Sequence, residues 1–557
     1  MFRKLAVFAV LVVAMPLIAE TRQRYTVVTT SNTPRAHTLR RLTTDSAERV
    51  ARRVRTYKNV SGYALDLTAE EAASLRRSEG VEAVEPVVER WASGSGPIAP
   101  NYERYVPQVT PWGVPVVRAD KVWPVTLGEG LNVAVLDTGI DWNHPDLKDA
   151  YVGGVNILDE TKLPIDDNKH GTHVAGIIAA AQNDFGVVGV APGVKLWNVK
   201  VLDIEGKGYD EYTAAGIDWV VEHQRLFGGR WVINMSLGAG AEGGKLERQA
   251  VERAFNAGII LVAAAGNRGA DFLDFPAAYP GVIAVGAVGE DGKKAEFSSY
   301  GYGMPIVAPG VLVQSTLIEG AEVIGEVATG PTGTAGATIR DARGLNGSPF
   351  GTFSGKIVPS GTGAPQHFTA AVVGNIALIQ RGGDLAFREK ARNAKNAGAA
   401  AVIIWNHENV PGTPLWTLTP KGCGPGENNC EAEWKDYQFP LTVGISNADG
   451  LALAAQGQQD GEISFLQARY GRLSGTSMAT PHVAGIAALL LSLDPTMNPT
   501  EVEFVLRRTA HDTADPGWDY ETGWGIVDAL AAAQYVAPER FNVTQPTYPA
   551  RRRSSRP

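Results

Sequence analysis

The sequence predicts an α/β protein: a doubly wound, mostly parallel sheet, with a small α+β unit before it and a further domain inserted into it. From Trp112 onward, short apolar runs alternate with helical stretches. Strands that alternate with helices pair in parallel, with helices on both faces. The runs are mostly apolar, as expected of strands buried on both sides. A further observation locates the chemistry. Three distant strings supply an Asp, a His and a Ser in that order: residues 133–139 (VAVLDTG), 170–176 (HGTHVAG) and 475–485 (GTSMATPHVAG).

Bulk properties narrow the class. At 557 residues the chain exceeds one ordinary core, and length predicts roughly two to four domains. A hydrophobic share of 44% with 20% charged residues describes a globular protein. The net charge of −8 argues against a nucleic-acid partner, which selects basic surfaces. Residues 1–19 read as a signal peptide, with Arg3 and Lys4 ahead of an apolar run that includes Pro16. That run is too short for a comfortable membrane span. Cleavage is expected near Ala19, although Leu17 is not the small residue favoured two places upstream. No Cys follows for a lipid anchor, and no later stretch is apolar for long enough to span a bilayer. The mature protein is expected to be exported, without a membrane anchor.

The elements follow in order. Residues 25–28, 62–67 and 81–88 read as strands, and 45–54 and 68–77 as helices. They define the α+β unit, 20–93. Residues 94–109, rich in Gly, Pro and Ser, read as a linker. The runs 131–136, 195–202, 231–235, 259–265 and 282–288 are the predicted buried strands, with helices at 171–181, 212–226 and 245–257. The α/β domain is placed at 110–319 and 467–537. Between its halves, 320–466 is long enough to be its own domain, with strands at 377–379 and 401–404 around a helix over 385–397. Residues 451–455 are expected to close this insert. A helix begins near Ser477, and 538–557 is expected to be a basic, disordered tail. The insert holds both cysteines, Cys423 and Cys430. In an exported chain they are expected to close a small disulfide loop, with two free thiols as the alternative. Two Cys do not complete a tetrahedral metal shell.

A serine hydroxyl is a poor nucleophile at neutral pH. It needs a base in hydrogen-bond reach, and the base needs a group that orients it and stabilises its cation. Ser477, His170 and Asp137 supply these three roles. An Asp-His-Ser order is one of three known chain orders for such a triad. A helix cap is the ordinary explanation of a lone Ser at a helix start, and the two other strings weigh against it. His173 lies three residues from His170 with no Glu between, which does not match the i, i+4 zinc helix. It reads as structural, as does His482. Attack on a carbonyl makes an oxyanion, which needs donors already in place. Asn267, at the end of residues 263–267 (AAAGN), suits that role beside the Ser477 N–H. By itself it would be an ordinary turn Asn.

These strings resemble the subtilase family of serine proteases, from about Gln108 to Ala531 with the insert as a break. Further matches are NMSLG at 234–238, GKGY at 206–209, YPGVIAVG at 279–286 and TGWG at 522–525. The resemblance implies a subtilisin-like fold, catalysis without a cofactor, and protein or peptide substrates. It implies substrate-binding roles for Gly206, Gly208, Ser236, Leu237 and Gly238. Residues 20–93 resemble the family's propeptide, which implies a zymogen whose own propeptide chaperones and inhibits it. The insert resembles a protease-associated domain through 376–382 (IALIQRG) and 397–404 (AGAAAVII). It departs from that pattern at Asp384, where many relatives carry Cys. The resemblance also implies a structural Ca²⁺ held by Gln108, Asp146 and Asn183 with the carbonyls of Ala181, Phe185 and Val187. Oxygen ligands of that kind suit Ca²⁺, and an ordinary polar turn is the alternative.

The expectation is thus a secreted serine endopeptidase made as a self-processing zymogen. A silent binding protein that works through the insert is the rival from another class, and the intact triad argues against it. A narrow processing peptidase or an exopeptidase stays open. Asp271 and Asp274 lie near the expected pocket, where they would favour basic side chains unless they are plain surface residues.

Overall fold

The computed structural model describes residues 22–29, 55–56, 62–78, 80–92, 99–100, 108–318, 322–329, 338–345, 348–407, 418, 437–513 and 516–542. The signal peptide, the helix read at 45–54, most of the linker, Cys423, Cys430 and the end of the tail lie outside these residues.

At the centre is a parallel sheet of seven strands. Its order is Ile306–Pro309, Val282–Val288, Ile260–Ala264, Trp231–Met235, Asn132–Asp137, Lys195–Lys200 and Tyr151–Asn156. Four of the five inner strands are buried at every position, while Lys195–Lys200 exposes its first residue, which is why they read as mostly apolar runs. Two helices, His170–Ala179 and Thr476–Leu493, pack against one face. Asp210–Phe227 and Lys245–Asn256 pack against the other. Thr476–Leu493 is long and apolar enough to cross a membrane, yet 89% of it is buried here as the core helix of the domain.

Sequence patterning missed both edge strands. Tyr151–Asn156 (YVGGVN) alternates in burial and carries two adjacent glycines, a weak strand signal. Gly154 is required there, because a Cβ would lie 2.0 Å from the Asn198 carbonyl oxygen. Ile306–Pro309 has four residues and ends in proline, which is tolerated at an edge.

In the N-terminal unit, Gln23–Thr29 pairs antiparallel with Gly62–Leu67 and Val81–Pro86. Helix Ala69–Leu75 starts at a capping box of Thr68 and Glu71. Strand alternation splits this unit's apolar residues between two cores. Tyr25, Val27, Leu65 and Leu67 fill its own core. Val28 and Ala64 join the core beneath Asp210–Phe227 and Lys245–Asn256. Ion pairs Arg24–Glu211, at 2.6 Å, and Lys245–Glu82, at 2.7 Å, flank that contact.

Past Pro86 the chain forms a further strand, Glu89–Ala92, just ahead of the predicted linker. It pairs antiparallel with Lys207–Tyr209 on one side and Leu237–Gly238 on the other. Four residues with both partners more than a hundred positions away leave no local signature.

The insert is a closed barrel in the order Glu322–Thr329, Thr338–Gly344, Leu441–Ile445, Ala401–Trp405, Ile376–Gln380, Gly351–Pro359 and Gln459–Ala468. Residues 451–455 do not close it. They belong to helix Asn447–Gln456, and the strand after that helix pairs with both Glu322–Thr329 and Gly351–Pro359.

Candidate active site

The predicted site residues sit at the carboxyl ends of the parallel strands, where ligands bind in open α/β sheets. Asp137 ends its strand, and His170 opens the helix that follows. His170 Nδ1 and Asp137 Oδ1 lie 2.7 Å apart, and both side chains are buried. That approach depends on Gly171, whose Cβ would lie 2.1 Å from the Gly139 carbonyl oxygen.

Asp166 holds the two segments together, and no motif singled it out. Its Oδ1 accepts hydrogen bonds from Thr138 Oγ1 and from the Asn168 and Lys169 N–H groups. Its Oδ2 accepts from the N–H and Oγ1 of Thr172. One buried carboxylate thus ties the residue after Asp137 to the first turn of the His170 helix. Its partners are spread over 138–172, so only the folded chain shows the connection.

Ser477 is the second residue of its helix, so its N–H has no partner within the helix. Its Oγ donates to the Ser236 carbonyl at 2.8 Å. His170 Nε2 is buried with no hydrogen-bond partner. The structure therefore brings Asp137 and His170 into contact, with the Ser477 hydroxyl turned to Ser236. Asn267 Oδ1 accepts from both the N–H and the Oγ1 of Thr476, at 2.8 and 2.9 Å. Its oxygen is thereby anchored to the residue before Ser477, and its Nδ2 donors are committed to no described residue.

Gly206, Gly208, Leu237 and Gly238 frame strand Glu89–Ala92. The Ala92 N–H donates to the Gly206 carbonyl at 2.8 Å, and Gly208 pairs with Arg90. Leu237 and Gly238 pair with Ala92 and Trp91. Asp274 is buried, within 2.7 Å of where a Gly266 Cβ would stand. Burial raises its pKa, partly offset by Arg268, 3.6 Å away. Asp271 is exposed.

Two further histidines, His173 and His482, make only backbone hydrogen bonds among the described residues. His173 Nε2 lies 3.0 Å from the Gly471 carbonyl oxygen, and His482 Nδ1 lies 2.8 Å from that of Met478.

The residues expected to hold calcium also converge. Gln108 Nε2 stands 2.7 Å from the Ala181 carbonyl, 3.1 Å from Asn183 Oδ1, 3.3 Å from the Val187 carbonyl and 3.4 Å from that of Phe185. Four oxygens face an amide nitrogen that has two hydrogens to give. Beside them, Asp146 accepts from Asn183 Nδ2 and the Val187 N–H. Among the described residues no cluster of three His, Cys, Asp or Glu side chains is present to hold a metal. A set of neutral oxygens with one carboxylate is chemistry for a hard cation instead.

Comparison with known proteins agrees with this architecture. The pattern of the subtilase family matches residues 128–340 and 444–525. The PA domain pattern matches 349–453, and that of peptidase inhibitor I9 matches 18–90. The thermostable alkaline protease of Halalkalibacterium halodurans is 42% identical over 252 residues, covering 45% of this chain and 63% of that protein. The chain thus spans less than two thirds of that relative. Subtilisin DY of Bacillus licheniformis is 44% identical over 214 residues, 38% of this chain and 75% of that protein. The crystal structure of the psychrophilic subtilisin-like protease Apa1 from Pseudoalteromonas sp. AS-11 superposes with a TM-score of 0.51 at 30% identity. It covers 79% of this chain and 100% of its own. With its family pattern matched over more than half its length, the chain belongs to the subtilase family of serine peptidases.

Proposed function

We propose that the protein is a secreted serine endopeptidase made as a zymogen, with Asp137, His170 and Ser477 as its triad. The observation that carries this reading is the 2.7 Å contact of His170 with Asp137 at the strand ends that also present Ser477 and Asn267. In the reaction, the Ser477 hydroxyl turns from Ser236 to His170 Nε2. Its oxygen attacks the substrate carbonyl carbon while its proton passes to Nε2. Asp137 stabilises the imidazolium and keeps its orientation. Asn267 Nδ2 and the Ser477 N–H donate to the oxyanion. The tetrahedral intermediate collapses, Nε2 gives its proton to the leaving amine, and an acyl-enzyme remains. Water activated by the same histidine releases the acid product.

Residues 20–93 act as the inhibitory propeptide in this reading, supported by strand Glu89–Ala92 lying where a substrate strand would pair. The linker, 94–109, joins it to the catalytic domain, 110–319 and 467–537, and the insert occupies 320–466. Calcium would be held by Gln108, Asp146 and Asn183 with the carbonyls of Ala181, Phe185 and Val187. It would brace the loop behind the His170 helix and take no part in the chemistry. Mass-spectrometric mapping of cuts in a mixed peptide library tests the activity. A correctly folded mature protein that cuts nothing in the library overturns this reading.

A further inference from the structure

Arg90 is a fully buried arginine in the middle of a strand that the cleft holds on both sides. Its side chain is 0% exposed, as is that of Glu247. The guanidinium meets the carboxylate as a fork: Nε donates to Glu247 Oε1 at 3.1 Å and Nη2 to Oε2 at 2.6 Å. Tyr279 Oη donates to the same carboxylate at 3.1 Å. A second buried acid, Asp210, stands beside this pair. Its Oδ1 accepts from the Val88 N–H, while Oδ2 is buried without a hydrogen-bond partner. Burial first, then the charge of Glu247, pushes the Asp210 pKa up to about 7, and Arg90 opposes that rise. Both acids belong to the catalytic domain, in the first turns of helices Asp210–Phe227 and Lys245–Asn256.

The backbone around Arg90 is a substrate-like strand. Arg90 pairs with Gly208, Trp91 with Gly238 and Ala92 with Leu237. Leu237 follows Ser236, whose carbonyl holds the Ser477 hydroxyl. The strand therefore advances toward the nucleophile with Arg90 at a fixed upstream register.

We propose that Glu247 and Asp210 form an arginine-selective subsite, and that the mature protein prefers substrates with arginine at the strand position Arg90 holds. Removing the propeptide takes the cation away from the two acids, and any side chain that then binds there buries them again. An incoming arginine restores the fork, whereas a lysine ammonium is a point charge that cannot match it. Leaving a buried carboxylate unpaired is strongly unfavourable, so neutral side chains bind poorly there.

The test, which rests on the peptidase reading above, uses mature protein and quenched fluorescent peptides spanning residues 86–97 of this chain. Position 90 is varied among Arg, Lys, Ala and Glu. The Arg peptide is expected to exceed Ala by roughly 30-fold or more in kcat/KM, with Lys between them. Glu247→Gln should bring the Arg-to-Ala ratio within about threefold. Should that variant not fold, the wild-type series still decides. Equal rates for Arg and Ala overturn the subsite and reduce Arg90 to a propeptide docking contact, with the peptidase reading intact. No cutting of these peptides or of a mixed library overturns both.

Discussion

Ser477 and Ser236 hold each other reciprocally: Ser477 Oγ donates to the Ser236 carbonyl, and Ser236 Oγ donates to the Ser477 carbonyl, each at 2.8 Å. The Ser477 hydroxyl is thus engaged by the residue just before strand Leu237–Gly238, and His170 Nε2 is buried without a hydrogen-bond partner. Ser477→Ala should abolish peptide hydrolysis and leave the fold intact, since the change removes one oxygen. Full activity in that variant would dismiss Ser477 as nucleophile.

The same variant bears on maturation. The mature N-terminus is expected between about Trp91 and Tyr105, in the polar stretch after the propeptide. In a host without other proteases, Ser477→Ala should accumulate as the uncut chain. N-terminal sequencing of both forms checks this, and identical processing of the variant rules out self-cleavage.

Asn267→Ala should lower kcat by about 10²–10³ with KM little changed, the loss measured when subtilisin itself loses such a donor. Anchored through Oδ1 to Thr476, the amide has only its nitrogen to offer the cleft. Steady-state kinetics decide, and a loss below about threefold reduces Asn267 to a turn residue.

His482 lies wholly inside the core. Burial, only partly offset by the Met478 carbonyl, lowers its pKa to about 4 from the ordinary 6.5. The folded state therefore disfavours a proton that the unfolded chain accepts. Stability from this group is complete above pH 6.5 and is lost as pH falls toward 4. Relative to His482→Leu, the wild type should lose about 1.4 kcal/mol per pH unit across that window. Urea titrations of both proteins at pH 7.5, 6, 5 and 4 measure the difference, and parallel curves would contradict it.

If the oxygens around Gln108 hold Ca²⁺ in the folded state only, chelation should lower Tm through linkage. Calcium at 100 times its Kd contributes about 2.7 kcal/mol. Asn183→Ala, which removes a central ligand, should abolish most of that sensitivity. A wild-type Tm indifferent to chelator removes calcium from this account.

Much of this molecule is local enough to be legible in the chain. Residues 133–139 announce a buried strand ending in an acid, because a strand covered on both faces is apolar at most positions. The His170 and Ser477 strings announce helix starts, because glycine and small residues are needed where backbones approach closely. Those three strings also name the chemistry, since a triad needs particular side chains in whatever scaffold. Relationships between distant segments left no such trace. Asp166 clamps Thr138 to Thr172 through hydrogen bonds that any buried acid could make. Strand Glu89–Ala92 forms only because two catalytic-domain segments offer it partners. Nothing in the run ERWA states that its arginine is buried against Glu247, 157 positions away. Sequence by itself determined the central buried strands, the main helix starts and the candidate reactive side chains, because periodicity and residue chemistry are properties of short segments. Tertiary structure alone decided that Glu89–Ala92 pairs between Lys207–Tyr209 and Leu237–Gly238 and that Arg90 is buried against Glu247. Burial and charge pairing depend on which distant surfaces meet.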